Sequence, residues 1–472
     1  MKALRASWML AALVPTWVGA AEPPAVPALV AAWQGVMAQS PEYAAARARR
    51  EQGRAVHSAA RALWMPTLSA QGGIARRSFD SETTGAQFSA PGFGLSSGVD
   101  FRTSVHDGNA RQWAFVLQQP LLDASRVADT RASLARARMA EAQFRQTEQA
   151  LMVRTAETLA AVVEAEARFR AMRRQHQAAA RARDTAQARY EAGDIPVTDW
   201  REAQAQLDEL AVRELDTQQV LAVASAAYTD LTGLPPPMSV PDPQQPSLDD
   251  TARDRDDDSL NDWLERARHS SPMLALQSEQ LALAEAEERR WSRLDGFQLN
   301  LVGQFGSETL SGQGDYGAAG ASNRLATIGL QASVPLFSGG MRAAQRRAAQ
   351  SGERAAQADL AAVRQRVELG TRTAWLTAST AHTRLRAQRR ALLSADSRLD
   401  ATRVGFDAGD RTLLDLLSAE AAALQAGAEV ERARCEGLIA TLRLAAAAGT
   451  LDAESLISAG SGEFACGGFQ AR

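Results

Sequence analysis

The sequence predicts a mainly α-helical chain that also carries four membrane β-strands and is built as an internal two-fold repeat. Three observations predict it. Turn and strand signals recur in the same order in both halves, two hairpins alternate in polarity, and the helical tracts are longer than a globular domain needs.

The opening residues, MKALRASWMLAALVPTWVGA, read as an export signal. Lys2 and Arg5 supply the positive start, Trp8 to Val18 the apolar stretch, and Val18-Gly19-Ala20 a small-residue cleavage site. Beyond residue 20 no run reaches the ~18–20 apolar residues of a membrane helix. An exported chain of this kind is expected to be periplasmic, secreted or a β-barrel. With 52 basic and 55 acidic residues, the surface is mixed and solvated, which argues against a nucleic-acid partner. Of the two cysteines, Cys435 and Cys466, neither follows the signal as a lipid anchor. An oxidising compartment permits a disulfide between them, and their spacing leaves that open.

The duplication is read directly. Tyr190-Glu191-Ala192-Gly193-Asp194 aligns with Phe406-Asp407-Ala408-Gly409-Asp410, and Asp199 with Asp415, at 415 − 199 = 216. Gly233 and Gly449 share that offset, while Pro120 and Pro335 differ by 215 and Ser40-Pro41 and Ser271-Pro272 by 231. The main change falls between Pro66 and Pro120, where the first copy carries an insertion. The expected division is a signal peptide over 1–20, a first repeat over 21–235 and a linker over 236–259. A second repeat over 260–450 and a tail over 451–472 follow. Each repeat starts with a helix, roughly Glu42 to Trp64 or Leu260 to Leu294. A β-hairpin (about 66–120 or 296–337) and a long helical hairpin bent near 190–199 or 406–415 come next. The linker, LPPPMSVPDPQQPSLDDTARDRDDD, is Pro-rich and then acidic.

Phe297 to Phe305 nearly alternates apolar and polar residues, and Ala326 to Val334 does so throughout. The first copy follows with Leu68, Ala70 and Ile74, then Trp113, Phe115 and Leu117. Such runs of about ten residues suit tilted membrane strands. One hairpin alone would suit a half-buried soluble element equally well; two matching ones in an exported chain favour the membrane. Ser81 to Gly108 and Ser307 to Asn323, rich in Gly and Ser, are expected as outer loops. Four strands leave open edges that hydrocarbon does not tolerate. Strands from other copies are therefore needed, and three chains would close twelve strands around some lumen. From Ser125 to Tyr190 neither Gly nor Pro interrupts the helical pattern, which at ~1.5 Å per residue is roughly 100 Å. Met341 to Phe406 is nearly the same, with Gly352 and Gly370 as tolerated exceptions. Alanine at contact positions allows close helix packing, and Arg, Gln and Glu cover wet faces.

With this order of elements, with Val334-Pro335-Leu336-Phe337-Ser338-Gly339-Gly340 entering a long helix, and with paired Tyr/Phe-x-x-Gly turns followed by Asp, the chain resembles the TolC-type outer-membrane channels over nearly its whole mature length. The resemblance implies a homotrimer in the outer membrane, with a twelve-stranded barrel continuing into a periplasmic α-helical barrel. It implies a mid-tube belt formed by the linker and tail, and Pro120, Pro335, Gly339 and Gly340 as strand-to-helix junctions. The implied partners are outer-membrane lipid, a periplasmic adaptor, and an inner-membrane ABC transporter or proton-driven pump. The implied function is an exit duct for unfolded protein in type I secretion, of the haemolysin or RTX-like kind. Drug or metal efflux is the alternative, and a soluble periplasmic coiled-coil adaptor the remote one.

The resemblance also puts both Gly-Asp turns, Gly193-Asp194 and Gly409-Asp410, at the periplasmic tip where the adaptor docks. Asp415, Ser418, Arg411, Asp199, Thr198 and Phe406 would then lie at the pore entrance. A ring of Asp415 carboxylates would favour cations; equally, Thr412-x-x-Asp415 fits a capping box. Arg411 and Asp199 would form a lock, with Phe406 standing where a tyrosine is often found. No cofactor, catalytic or metal-ligating set is expected. Gly94-x-Ser96-x-Gly98 matches the nucleophile-elbow pattern but lacks its strand-to-helix setting, and the five histidines show no metal spacing.

Overall fold

The computed structural model describes residues 28–92, 94–237, 259–292 and 297–460. The expected signal peptide, most of the Pro-rich linker, and Cys466 lie outside the described residues; Cys435 is fully buried in the bundle.

The chain opens with two helices, α1 (Ala28–Gln39) and α2 (Pro41–Ala62). Strands β1 (Thr67–Ala90) and β2 (Gly94–Asp123) follow, then helices α3 (Ala124–Glu191) and α4 (Val197–Thr232). The second repeat gives α5 (Leu260–Ser270), α6 (Pro272–Ser292), β3 (Gln298–Gly314), β4 (Gly317–Ser333), α7 (Met341–Asp407) and α8 (Leu413–Ala447), and α9 (Ala453–Gly460) closes the described chain. The leading helix of each repeat is broken at Ser-Pro. Ser40 and Ser271 are extended (ψ 120 at both) because the following proline ring disfavours helical backbone there. The helix α1 was not anticipated from the sequence.

The four strands form one antiparallel sheet in the order β1-β2-β3-β4. Here the sequence expectation needs correcting. The residues assigned to outer loops, Ser81 to Gly108 and Ser307 to Asn323, are mostly strand, and the turns are short. Gly and Ser do not block ladder hydrogen bonds, and the irregularities are absorbed as register shifts, between Arg77 and Phe79 and between Thr83 and Ala86. At 24 and 30 residues, β1 and β2 far exceed the ~9–11 that span a bilayer.

Register assigns the two faces. Leu68, Leu117, Gly303 and Ile328 share one row, and Ala70, Phe115, Phe305 and Ala326 the next. Trp113 packs edge-on against Phe115 and Phe305 at 5.8 and 5.7 Å, and its row ends in Arg324. The opposite face carries Ser69, Gln71, Gln112, Gln118, Gln304, Glu308, Asn323 and Thr327, which pair in alternate rows. From Leu299 to Ser307, 307 − 299 = 8 steps along β3, the apolar face runs about 27 Å at ~3.4 Å per residue. Tilted by ~40°, that is about 20 Å, close to the ~25 Å apolar band of membrane barrels.

The helices continue the sheet in matching order. Near the sheet α2 packs on α3, α3 on α6 and α6 on α7; towards the far end α4, α3, α8 and α7 pack in series. At 68 and 67 residues, α3 and α7 are each roughly 100 Å long at ~1.5 Å per residue. Small residues set the spacing: a Cβ on Gly53 of α2 would come within 2.4 Å of the Ala140 Cβ on α3. Ion pairs fix the helix register, with Arg50–Glu141 at 2.8 Å (α2–α3), Arg290–Asp129 at 3.3 Å (α6–α3) and Arg384–Glu436 at 2.9 Å (α7–α8). Each such exposed pair is worth at most ~1 kcal/mol. The largest apolar core lies midway along the bundle. There Trp33 and Val36 of α1, Leu159 and Val163 of α3, Leu438 and Leu442 of α8, and Leu456 of α9 are buried together. Gln149 binds the backbone carbonyl of Leu451 at 3.0 Å in the same region. Among the described residues no helix is long and apolar enough to cross a membrane.

Candidate functional site

The site is built at the two bends of the long helices, the end of the chain farthest from the sheet. Gly193 and Gly409 both take φ 83, a left-handed conformation that costs other residues roughly 1–2 kcal/mol. Both helices end in the same Schellman motif. Gly193 N–H donates to the Tyr190 carbonyl at 2.9 Å and Asp194 N–H to Arg189 at 2.9 Å; Gly409 donates to Phe406 at 3.0 Å and Asp410 to Gly405 at 2.8 Å. Duplicated sequence therefore gives duplicated hydrogen bonding.

The restart of the chain after each bend differs. At the second bend Thr412 and Asp415 form a reciprocal capping box. Thr412 N–H donates to the Asp415 carboxylate at 3.0 Å, and Asp415 N–H donates to Thr412 Oγ1 at 3.1 Å. The Thr412 backbone bond, helped by its hydroxyl and by the Arg411 and Arg398 charges, holds the Asp415 carboxyl below its usual range. Asp415 is half-buried at the start of α8. Ser418 bonds back to the Asp415 carbonyl at 2.8 Å, and its hydroxyl is spent within the helix. Arg411 folds over its own turn, and a Cβ on Gly405 would meet its Cγ at 2.8 Å. At the first bend Pro196 starts α4 without a side-chain cap, and among the described residues Asp199 accepts only from its neighbour Thr198, at 3.0 Å. Among the described residues no ion pair joins Arg411 to Asp199 within the chain.

Two features escaped the sequence reading. Tyr190 and Trp200 stack across the first bend with centroids 6.0 Å apart and planes at 11°, and the Arg201 guanidinium lies 5.6 Å from the Trp200 ring centre. The second repeat has Phe406 and Leu416 at these places and cannot repeat the stack. An aromatic on each side of a Gly turn was the available signal. The other is Asp123. The strand β2 runs past Pro120, which lies inside it beside a register shift, so the junction to α3 falls at Asp123. Its carboxylate caps Ser125 at 2.9 Å and pairs with Arg126 at 3.2 Å. An aspartate just before a helical run is a start signal. In the second repeat Pro335 lies in the connecting segment and Gly339 and Gly340 turn it with φ 58 and 80.

Gly94, Ser96 and Gly98 lie within β2 with no helix following, so the elbow is absent. Among the described residues no group of His, Cys, Asp and Glu could hold a metal ion.

Comparison with known proteins fits this geometry. The family model for outer membrane efflux proteins matches residues 33–234 and 263–450. Outer membrane protein TolC of Vibrio cholerae is 28% identical over 337 residues, covering 69% of this chain and 74% of TolC. The proteases secretion protein PrtF of Dickeya chrysanthemi is 26% identical over 434 residues, covering 91% and 89%. The CmeC outer membrane channel of Campylobacter jejuni shares the fold at 15% identity and a TM-score of 0.67, over 94% of this chain and 93% of CmeC. These matches set aside an enzyme and a soluble periplasmic adaptor. The chain belongs to the outer membrane efflux protein family and is an outer-membrane exit duct.

Proposed function

We propose that three copies of the chain close the tube and serve type I protein secretion, passing an unfolded polypeptide from an inner-membrane ABC transporter and adaptor to the outside. The observation that carries the cargo assignment is the alignment with PrtF, named for the secretion of proteases, over 91% of the chain. Closure by three follows from the open sheet, because three sets of four strands make a twelve-stranded barrel with a lumen. In that assembly the free edge of β1, α2 and α4 meets the β4–α7 edge of the next copy. The exposed Val212, Leu215 and Val223 of α4 and Leu376 and Val404 of α7 would then be covered.

The helical bends form the periplasmic entrance and receive the adaptor. Asp415 does two things there: it caps α8 and, repeated three times, sets a ring of carboxylates that favours cations. Arg411 of one copy reaches Asp199 of its neighbour in the closed state. Replacement of Arg411 with Ser is expected to raise single-channel conductance, and unchanged conductance would remove the lock from this account.

The family description favours a second reading, the outer-membrane part of a drug or metal efflux pump. Deleting the gene separates the two. Type I secretion predicts loss of one or a few extracellular proteins with unchanged drug and metal tolerance, and efflux predicts the converse.

A further inference from the structure

The two free edges carry an unbalanced charge where they would meet, an observation that rests on the three-copy reading above. On α7 the first three turns hold Arg342, Arg346 and Arg347 and no acid before Glu353. Arg346 and Arg347 are exposed, and neither joins an ion pair among the described residues. On α2 no acid follows Glu51, and Arg61 in its last turn is likewise exposed and without an ion pair among the described residues. The helix α2 climbs to β1 and α7 descends from β4, so distance from the sheet matches the two. Arg61 stands 62 − 61 = 1 residue from its helix end and Arg342 stands 342 − 341 = 1 from its own. Arg346 and Arg347 lie about one turn farther down.

Some arginines at this level are matched within the chain. Arg126 pairs with Asp123 at 3.2 Å and Arg290 with Asp129 at 3.3 Å. Closing the tube would gather the guanidiniums of Arg61, Arg346 and Arg347, which do not deprotonate, just beneath the membrane band. Immediately above them Leu336, Phe337 and Met341 are 94%, 89% and 61% exposed. Leu336 and Phe337 lie in the segment that joins β4 to α7. A cationic cluster beneath an exposed apolar step matches a molecule with a phosphate head and acyl tails.

We propose that each seam between copies holds one anionic phospholipid of the periplasmic leaflet. Its phosphate lies on Arg346 and Arg347 of one copy and Arg61 of the next, and its acyl chains lie against Leu336, Phe337 and Met341. A doubly hydrogen-bonding guanidinium suits phosphate better than an ammonium does. The lipid thereby becomes part of the contact between copies.

The test is native mass spectrometry of the full-length protein purified in mild detergent, delipidated, then offered phosphatidylglycerol or phosphatidylethanolamine. The expected spectrum is a trimer retaining up to three phosphatidylglycerols, at least tenfold more occupied than with phosphatidylethanolamine. A variant with Arg61→Gln, Arg346→Gln and Arg347→Gln is expected to lose that preference, and the Arg→Lys triple variant to keep part of it. A trimer that binds both lipids equally, or whose Gln variant retains phosphatidylglycerol unchanged, overturns the seam alone. Displacement by millimolar inorganic phosphate makes it a free-anion site and overturns the lipid assignment. A mass other than three chains overturns the closure itself, and the seam with it.

Discussion

Ile328 gives the sharpest mutational test of the sheet's orientation. It lies on β4 beside Gly303, in the row with Leu117 and Leu68, and is 77% exposed. If that face meets hydrocarbon, Ile328→Arg places a guanidinium near the middle of the apolar band. The cost there is about 2–4 kcal/mol per chain, or about 6–12 kcal/mol summed over three copies. Its neighbour Thr327 points to the other face, opposite Gln304, where water would solvate a new charge. Thr327→Arg should then change stability by no more than about 0.5 kcal/mol. The assay is the yield of heat-resistant oligomer in the outer-membrane fraction, followed by its thermal melting. Ile328→Arg should abolish or strongly reduce assembly while Thr327→Arg assembles normally. Equal effects, or the reverse order, would show that the faces are assigned wrongly.

Other substitutions probe the helices and the bends. Gly53→Ala would force a Cβ to within 2.4 Å of Ala140 and should cost about 1–3 kcal/mol by melting. Gly352→Ala, with nothing within 4 Å of the added carbon, should instead stabilise by roughly 0.5–1 kcal/mol. Glu431 is buried, and desolvation raises its carboxyl above the ordinary range against the opposing Arg434 and Arg389 charges. Between its ordinary and its raised value the unfolded chain binds fewer protons than the folded one, so stability falls as pH rises through that window. Glu431→Gln, which keeps an acceptor for Arg434, should melt higher than the parent at pH 8 and no higher in acid. For Asp415 the sign is opposite. Its lowered value means the cap is intact above the ordinary aspartate range and weakens as pH falls through it, so melting of Asp415→Asn should approach the parent's only in strong acid. The same variant should lower cation selectivity in bilayers at neutral pH.

Much of this architecture was legible because its signals are periodic and duplicated. Alternating Ala326 to Val334 could be a strand only, and the Gly193 and Gly409 turns announced themselves twice. The length of the hairpins was not legible, because Gly- and Ser-rich segments such as Ser307 to Asn323 show no alternation that separates strand from loop. Their ladder is set by the partner strand. The helices α1 and α9 were hidden for a related reason: each is short, and its burial depends on a cavity formed by α3 and α8 far away in sequence. At the bends, the capping box was readable from Thr412 and Asp415. The Tyr190–Trp200 stack needed the geometry of the closed turn. Among the described residues the Asp199 carboxylate meets only its neighbour Thr198, and contacts between copies are not encoded in one chain's pattern.

The central claim is that an open four-stranded sheet becomes a water-filled duct when copies of the chain close it. Single-channel recording of the purified protein in planar bilayers tests this most directly. The account predicts long-lived, cation-selective conductance steps whose size rises when Arg411 is replaced by Ser. Bilayers that stay electrically silent with protein demonstrably inserted would contradict it.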